Sequence, residues 1–273
     1  MKIVHSSNEY PLVCKRCSKS VVSGKWEVVS GNWYLERRHA ELTVRHLPLT
    51  TISPCYPDDM CGRYVLKALR DDIVKHFNLV DGLDYFDIHG YKMRDEVFPG
   101  EWITAINNEN RPEDIWWTIE DKDNTGATRR AINAKAETIT KVRMFADAFR
   151  KDRVLIPATG FHEWDSGKCR HVFTFDEPLF ALGGIGRDCE TKGEVRRCGA
   201  IITTEANDVV RPIHEKGRMP VVIHKYDFER WLSPDTSLED LQRMMRPLPD
   251  EETHVEKADA ISPAKSKEQG RLF

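Results

Sequence analysis

The apolar residues of this chain come in short bursts divided by charged and turn-forming residues, and that spacing limits what it can fold into. Trp102-Ile103-Thr104-Ala105-Ile106, Val154-Leu155-Ile156, His171-Val172-Phe173-Thr174-Phe175 and Cys198-Gly199-Ala200-Ile201-Ile202-Thr203-Thr204 are β-branched or aromatic and bounded by Gly, Pro or charged residues, which is the pattern of strands. Helical spacing falls between them. Leu66, Leu69, Ile73 and Phe77 recur with Lys67, Arg70, Asp71 and Lys75 on the other face, and further helices fit Phe145 to Lys151, Tyr226 to Leu232 and Leu238 to Met245. Helices thus punctuate strands without the regular alternation of a doubly wound sheet. The expected class is α+β, with a mixed, curved or barrel-like β-sheet and flanking helices. No burst approaches the roughly 18 apolar residues that cross a bilayer, so no membrane partner is expected.

The 273 residues, 40% hydrophobic and 31% charged, exclude a chain disordered throughout. Met1-Lys2-Ile3-Val4-His5-Ser6-Ser7 turns polar before an apolar signal core can form, so a cytoplasmic protein is expected. A net charge of −3 lacks the field of a general nucleic-acid binder and leaves room for a local basic groove. Arg129, Arg130, Lys135, Lys141, Arg143, Arg150, Lys151 and Arg153 supply one, and part of that run is read as a face for a phosphate backbone. Seven cysteines without an export signal read as reduced thiols. The turn-rich Ser53-Pro54-Cys55-Tyr56-Pro57-Asp58-Asp59 divides an extension, 1–59, from a main domain, 60–261, followed by a polar tail, 262–273. No Walker or Rossmann glycine pattern occurs, so no nucleotide cofactor is expected. A monomer is expected.

Four segments carry reactive groups: Met60-Cys61-Gly62-Arg63, Asn133-Ala134-Lys135-Ala136-Glu137-Thr138, Gly160-Phe161-His162-Glu163-Trp164 and Ile213-His214-Glu215-Lys216-Gly217-Arg218-Met219-Pro220. Together they offer a nucleophile, a polar stabiliser and an acid/base pair. In this order they resemble the SOS-response-associated peptidase (SRAP) family, whose members open with Met-Cys-Gly-Arg and carry Asn-Ala-Arg-x-Glu-Thr, Gly-Phe-x-Glu-Trp and Ile-His-x-Arg-Met-Pro. The resemblance implies a mixed fold around a basic DNA channel. It also implies an N-terminal cysteine, exposed by loss of the initiator Met, that bonds covalently to abasic sites in single-stranded DNA. A free α-amine, of pKa about 7.7–8.0, condenses with the abasic aldehyde, and the thiol of the same residue closes the imine to a thiazolidine.

By that resemblance Cys61 is the nucleophile, Glu163 moves protons at the amine, His214 is the acid/base that opens the sugar, and Asn133 holds the sugar. Arg63, Lys135 and Arg218 contact DNA, and Trp117 stacks on a base. The partner is single-stranded DNA with abasic sites, and the location is damaged DNA in the nucleoid. This chain departs from the family at several points. Lys135 replaces an Arg, Glu96-Val97-Phe98-Pro99 stands for Asn-Val-Ala-Pro, Trp117-Thr118 stands for Trp-Gly, and three residues rather than one separate His214 from Arg218. The longer loop could displace His214.

Cys61 is internal, and an acylated nitrogen cannot form a Schiff base, so residues 1–60 must be absent from an active crosslinker. Translation from Met60 is the favoured reading, and self-cleavage before Cys61 is a second. A third takes 1–59 as an accessory module in which Cys14 and Cys17, with His39, His46 or Cys55, bind zinc; ordinary thiols are the alternative. The closing Gln269-Gly270-Arg271-Leu272-Phe273 resembles sliding-clamp peptides, with Gln269, Leu272 and Phe273 as contacts. Two other functions stay open: a cysteine or N-terminal-nucleophile peptidase acting on its own N-terminus, and a non-catalytic module for single-stranded or modified-base DNA.

Overall fold

The computed structural model describes residues 61–258 apart from positions 123 and 192, preceded by two strands, β1 (Trp33–Arg38) and β2 (Glu41–His46), paired antiparallel. Two compact units divide the chain, residues 1–58 and 59–273. Cys14, Cys17, His39, Cys55 and Met60, and Gln269, Leu272 and Phe273 of the tail, lie outside the described residues.

In the larger unit the chain enters β3 (Tyr64–Leu66), then α1 (Arg70–Phe77) and α2 (Gly82–His89). The helix expected from Leu66 begins only at Arg70. Leu66 belongs to a strand held by cross-strand partners, and Leu69 is 59% exposed at the helix start. Ile73 and Phe77 do face the core, with Asp71 and Asp72 in the first turn and Lys75 in the last, as the helix dipole favours. Next come β4 (Arg94–Val97), β5 (Trp102–Ile106), β6 (Pro112–Trp117), β7 (Ile119–Lys122), β8 (Thr128–Ala131) and β9 (Asn133–Lys135). Then α3 (Arg143–Lys151) buries Phe145, Ala148 and Phe149, its one apolar stripe.

After it run β10 (Arg153–Ala158), β11 (Gly160–Trp164), β12 (Arg170–Phe175), β13 (Phe180–Thr191), β14 (Glu194–Glu205), β15 (Arg218–Pro220) and β16 (Val222–Ile223). The chain finishes with α4 (Phe228–Leu232), α5 (Leu238–Met244) and β17 (Thr253–Lys257). The expected helix from Tyr226 starts later, because Lys225–Asp227 form a 3-10 turn.

The molecule is mixed α+β, and its main sheet closes on itself. β14 pairs with β6, β6 with β5, β5 with β10, β10 with β13, and β13 again with β14. Closure removes free edges from the ring. It also explains the continuous apolar run of β10, whose Val154, Leu155 and Ile156 are all fully buried, with Trp231 of α4 donating its indole N–H to the Val154 carbonyl at 3.0 Å. Close packing demands a glycine at position 199, where a Cβ would collide with Ile115 and stand 3.0 Å from the Ile185 carbonyl oxygen.

A second sheet runs β17-β12-β11-β3-β4 and is antiparallel throughout. The long β14 extends beyond the ring. Its Ile201–Thr203 stretch carries β9 in parallel, and its Thr203–Glu205 stretch carries β15. Non-local strand pairing therefore brings the four reactive segments together in two pairs, β9 with β15 along β14 and the stretch before β3 with β11.

Candidate active site

Cys61 lies just before β3, Glu163 on β11, Asn133 on β9 and His214 in the loop between β14 and β15, and all four are buried. The Cys61 sulfur, a Glu163 carboxylate oxygen and a His214 ring nitrogen lie within 4.8 Å of one another. Asn133 holds the backbone in place. Its side-chain amide donates to the Cys61 carbonyl at 3.3 Å and to the Ile201 carbonyl at 3.4 Å. The longer loop has not displaced His214, whose Nε2 stands 3.7 Å from Glu163 Oε2.

Burial sets the charge state. Desolvation pushes the Glu163 carboxyl up to about 8, opposed by its hydrogen bond with Cys61. Desolvation also raises the Cys61 thiol well above its ordinary range, and the neighbouring Glu163 adds to the rise. Burial lowers His214, helped by the Arg218 charge. The resting cluster is therefore neutral. Asn133 Oδ1 and Glu163 Oε1 are buried without a hydrogen-bond partner, and unmatched buried acceptors of this kind cluster where a reacting group is to sit.

Thiol, imidazole and carboxyl are a zinc-type donor set, but the ring orientation does not fit one. The Lys216 N–H donates to His214 Nδ1 at 3.1 Å. A neutral imidazole that accepts at Nδ1 carries its hydrogen on Nε2, the atom facing Glu163, so no lone pair is directed at the other two donors. A zinc-bound imidazole has the opposite arrangement, binding through one nitrogen and donating from the other.

The expected DNA contacts divide. Lys135 is exposed. Arg63 sits between two rings, 4.7 Å from the Phe98 centroid and 4.4 Å from that of Trp164, and pairs with Glu96 at 3.3 Å. Trp117 is not a stacking surface: it is fully buried, its indole N–H bonded to the Ile132 carbonyl at 2.9 Å and its ring against Tyr64. Arg218 is not a surface cation either. It is buried in a two-pronged pair with Glu137 at 2.7 and 3.1 Å and also donates to the Thr203 carbonyl at 2.7 Å.

The basic run is likewise partly committed. Arg130 pairs with Glu120, Arg143 with Asp121, and Arg153 is buried against the Trp231, Phe149, Arg150 and Ser233 carbonyls. Glu137, Glu96 and the Lys216 amide have structural roles that sequence reasoning passed over. Glu137 and Arg218 each lie in a recognised segment, and their opposite charges were the available signal.

A barrel-cored α+β protein with a neutral cysteine–carboxyl–imidazole cluster, drawn from just before β3, from β11 and from the β14–β15 loop, defines a cysteine-centred site. The profile of the SOS response associated peptidase (SRAP) family matches residues 60–261. Abasic site processing protein YoaM of Bacillus subtilis (strain 168) is 32% identical over 201 residues, 69% of this chain and 86% of YoaM. Abasic site processing protein YoqW of the same organism is 31% identical over 202 residues, 69% of this chain and 87% of YoqW. A crystal structure of a protein from Bacteroides thetaiotaomicron matches with a TM-score of 0.64 at 21% identity, over 71% of this chain and 90% of that one. One from Bordetella bronchiseptica matches with a TM-score of 0.60 at 19% identity, over 73% of this chain and all of that one, 100%. The chain belongs to the SRAP family.

Proposed function

We propose that this protein bonds covalently to abasic sites in single-stranded DNA through Cys61, once Cys61 is the first residue. The observation that carries the reading is the buried thiol of Cys61 beside a carboxyl pushed up to about 8 and within 4.8 Å of both it and an imidazole. The names of YoaM and YoqW supply the substrate class. The α-amine of Cys61 adds to the aldehyde carbon as a proton passes from nitrogen to oxygen. Glu163 then gives its proton to the carbinolamine hydroxyl, which leaves as water while the nitrogen lone pair forms the C=N bond. The Cys61 sulfur adds to that carbon, and the thiol proton returns to Glu163. Amine, thiol and aldehyde have become a thiazolidine and one water, with Glu163 restored. A carboxyl held near neutrality suits both halves of that cycle.

Asn133 fixes the Cys61 carbonyl so that amine and thiol present to one carbon. Exposed Lys135, with the half-exposed edge of Trp164, gives the strand a phosphate contact and an aromatic face beside the cluster. Residues 1–60 are absent from the reactive form, by translation from Met60 or by cleavage before Cys61.

The test is intact mass spectrometry of protein expressed with its upstream sequence and incubated with a single-stranded oligonucleotide carrying one abasic site. The expected mass is that of residues 61–273 plus oligonucleotide minus one water. A Cys61-start protein with no adduct would overturn the reading. The same spectrum, read without DNA on protein that begins at Met1, separates self-cleavage from an internal start.

A further inference from the structure

The loop that carries His214 is braced from several sides. Its own N–H bonds the Val210 carbonyl at 3.0 Å, and the Val210 N–H bonds Asn207 Oδ1 at 3.0 Å. Asn207 is itself tied to the Leu248 carbonyl at 3.1 Å and to Thr253 Oγ1 at 2.8 Å. Beyond His214 the three intervening residues close a turn. The Gly217 N–H donates to the His214 carbonyl at 2.8 Å, with Gly217 at φ 57, a left-handed conformation natural to glycine. The Ala206 N–H donates to the Gly217 carbonyl at 2.8 Å, sewing the turn to the end of β14. That turn aims the Lys216 N–H at His214 Nδ1.

A backbone amide cannot give up its proton to a ring nitrogen, and it cannot accept one. An imidazole relays a proton only if one nitrogen can take a hydrogen as the other releases it, and Nδ1 here is occupied by a donor. Protonation of Nδ1 would set two N–H groups against each other 3.1 Å apart. Arg218 and Glu215 are the charged neighbours on the loop's own side, and Glu163 and the Cys61 thiol face the ring from across the site. With Nδ1 held by a donor, Glu163 is the member of the His214–Glu163 pair left to exchange protons with the reacting atoms.

Resting on the proposed reaction, we infer that His214 serves this site as a neutral hydrogen-bond donor through Nε2–H, held in that tautomer by the Glu215-Lys216-Gly217 turn, and not as a proton carrier. The Nε2–H faces the Glu163 carboxyl at 3.7 Å and is placed to donate to the departing oxygen of the substrate between them, and every proton passes through Glu163. This differs from the acid/base role that the resemblance implies for His214.

Two measurements test it. Two-bond proton–nitrogen correlation spectra of the full chain, with the His214 signals assigned by their loss in His214→Ala, are expected to show hydrogen on Nε2 and none on Nδ1 at neutral pH. A hydrogen on Nδ1, or an imidazolium, overturns the inference, and this readout stands whether or not the protein crosslinks DNA. In single-turnover crosslinking by the Cys61-start protein, His214→Gln keeps an N–H donor and is expected to lower the rate by about tenfold, the scale of one altered hydrogen bond. The pH profile of that variant is expected to keep the inflection of the unsubstituted protein. A loss of a hundredfold or more in His214→Gln, equal to that in His214→Ala, with an inflection abolished by both, is the signature of a lost proton carrier and overturns it. Failure of the unsubstituted protein to crosslink tells against the proposed reaction and leaves the spectra to decide the tautomer.

Discussion

A carboxyl group that keeps its proton to about pH 8 makes the folded state sensitive to alkali. Glu163 in the unfolded chain ionises near the ordinary carboxyl value, while in the folded chain it stays protonated. Folded and unfolded states bind the same proton in acid, the folded state binds more between the two values, and stability therefore falls as pH rises through that window. Glu163→Gln removes the ionisation and leaves the shape. Thermal melts should show the variant close to its parent at about pH 5 and more stable by on the order of a few kcal/mol at about pH 8.5. An unchanged gap across the range would mean that Glu163 is not held protonated.

Cys61, Asn133, Glu163 and His214 were legible as residues because each sits in a short segment of unusual composition. The tryptophans were not. Trp116 and Trp117 are adjacent on a strand and must point to opposite faces, and nothing in the pair says which face is the core. Trp117 took the interior, while Trp116 meets Trp102 edge-on outside the barrel, with Arg196 over its ring at 4.8 Å.

Between elements, charge pairing decides which cations are available. Glu96 on β4 accepts from Arg63 at 3.3 Å and from Arg170 of β12 at 2.9 Å, so one carboxylate is shared by two guanidinium groups and holds both in place. Glu96 and Phe98 are two of the positions at which this chain leaves the family pattern. Glu96→Asn should free both arginines, tightening single-stranded DNA binding several-fold at low salt and steepening its salt dependence by about one phosphate contact. Equal affinity in a fluorescence anisotropy titration would show that neither arginine reaches the strand. The misplaced helix start has a related cause. Leu66 and Leu69 fit a helical repeat locally, yet β3 is claimed by β11 and β4, and partners far along the chain cannot be read from spacing.

At the scale of the molecule the mixed class and the curved sheet were legible from short strands interrupted irregularly by helices, but barrel closure was not, since it depends on β13 meeting β14 and β10 at once. With a net charge of −3 and much of its basic run paired internally, the protein should bind single-stranded DNA through few phosphates. The expected log–log slope of affinity against salt is about −1 to −3, measured by anisotropy with an unmodified oligonucleotide. A slope near zero would remove the phosphate contact assigned to Lys135. The division at residues 58 and 59 carries its own expectation: a chain of residues 61–273 should melt within about 2 °C of the main transition of the full chain.

Asn133 grips Cys61 by its carbonyl, from the side of the residues that follow it. A first residue ordinarily frays, but this one is moored whatever precedes it. On the proposed reaction, a tag or fused domain joined to the Cys61 nitrogen would therefore work as a removable cap on a preformed site. Stripping it off would then be a switch thrown in a single cut, with no folding left to complete.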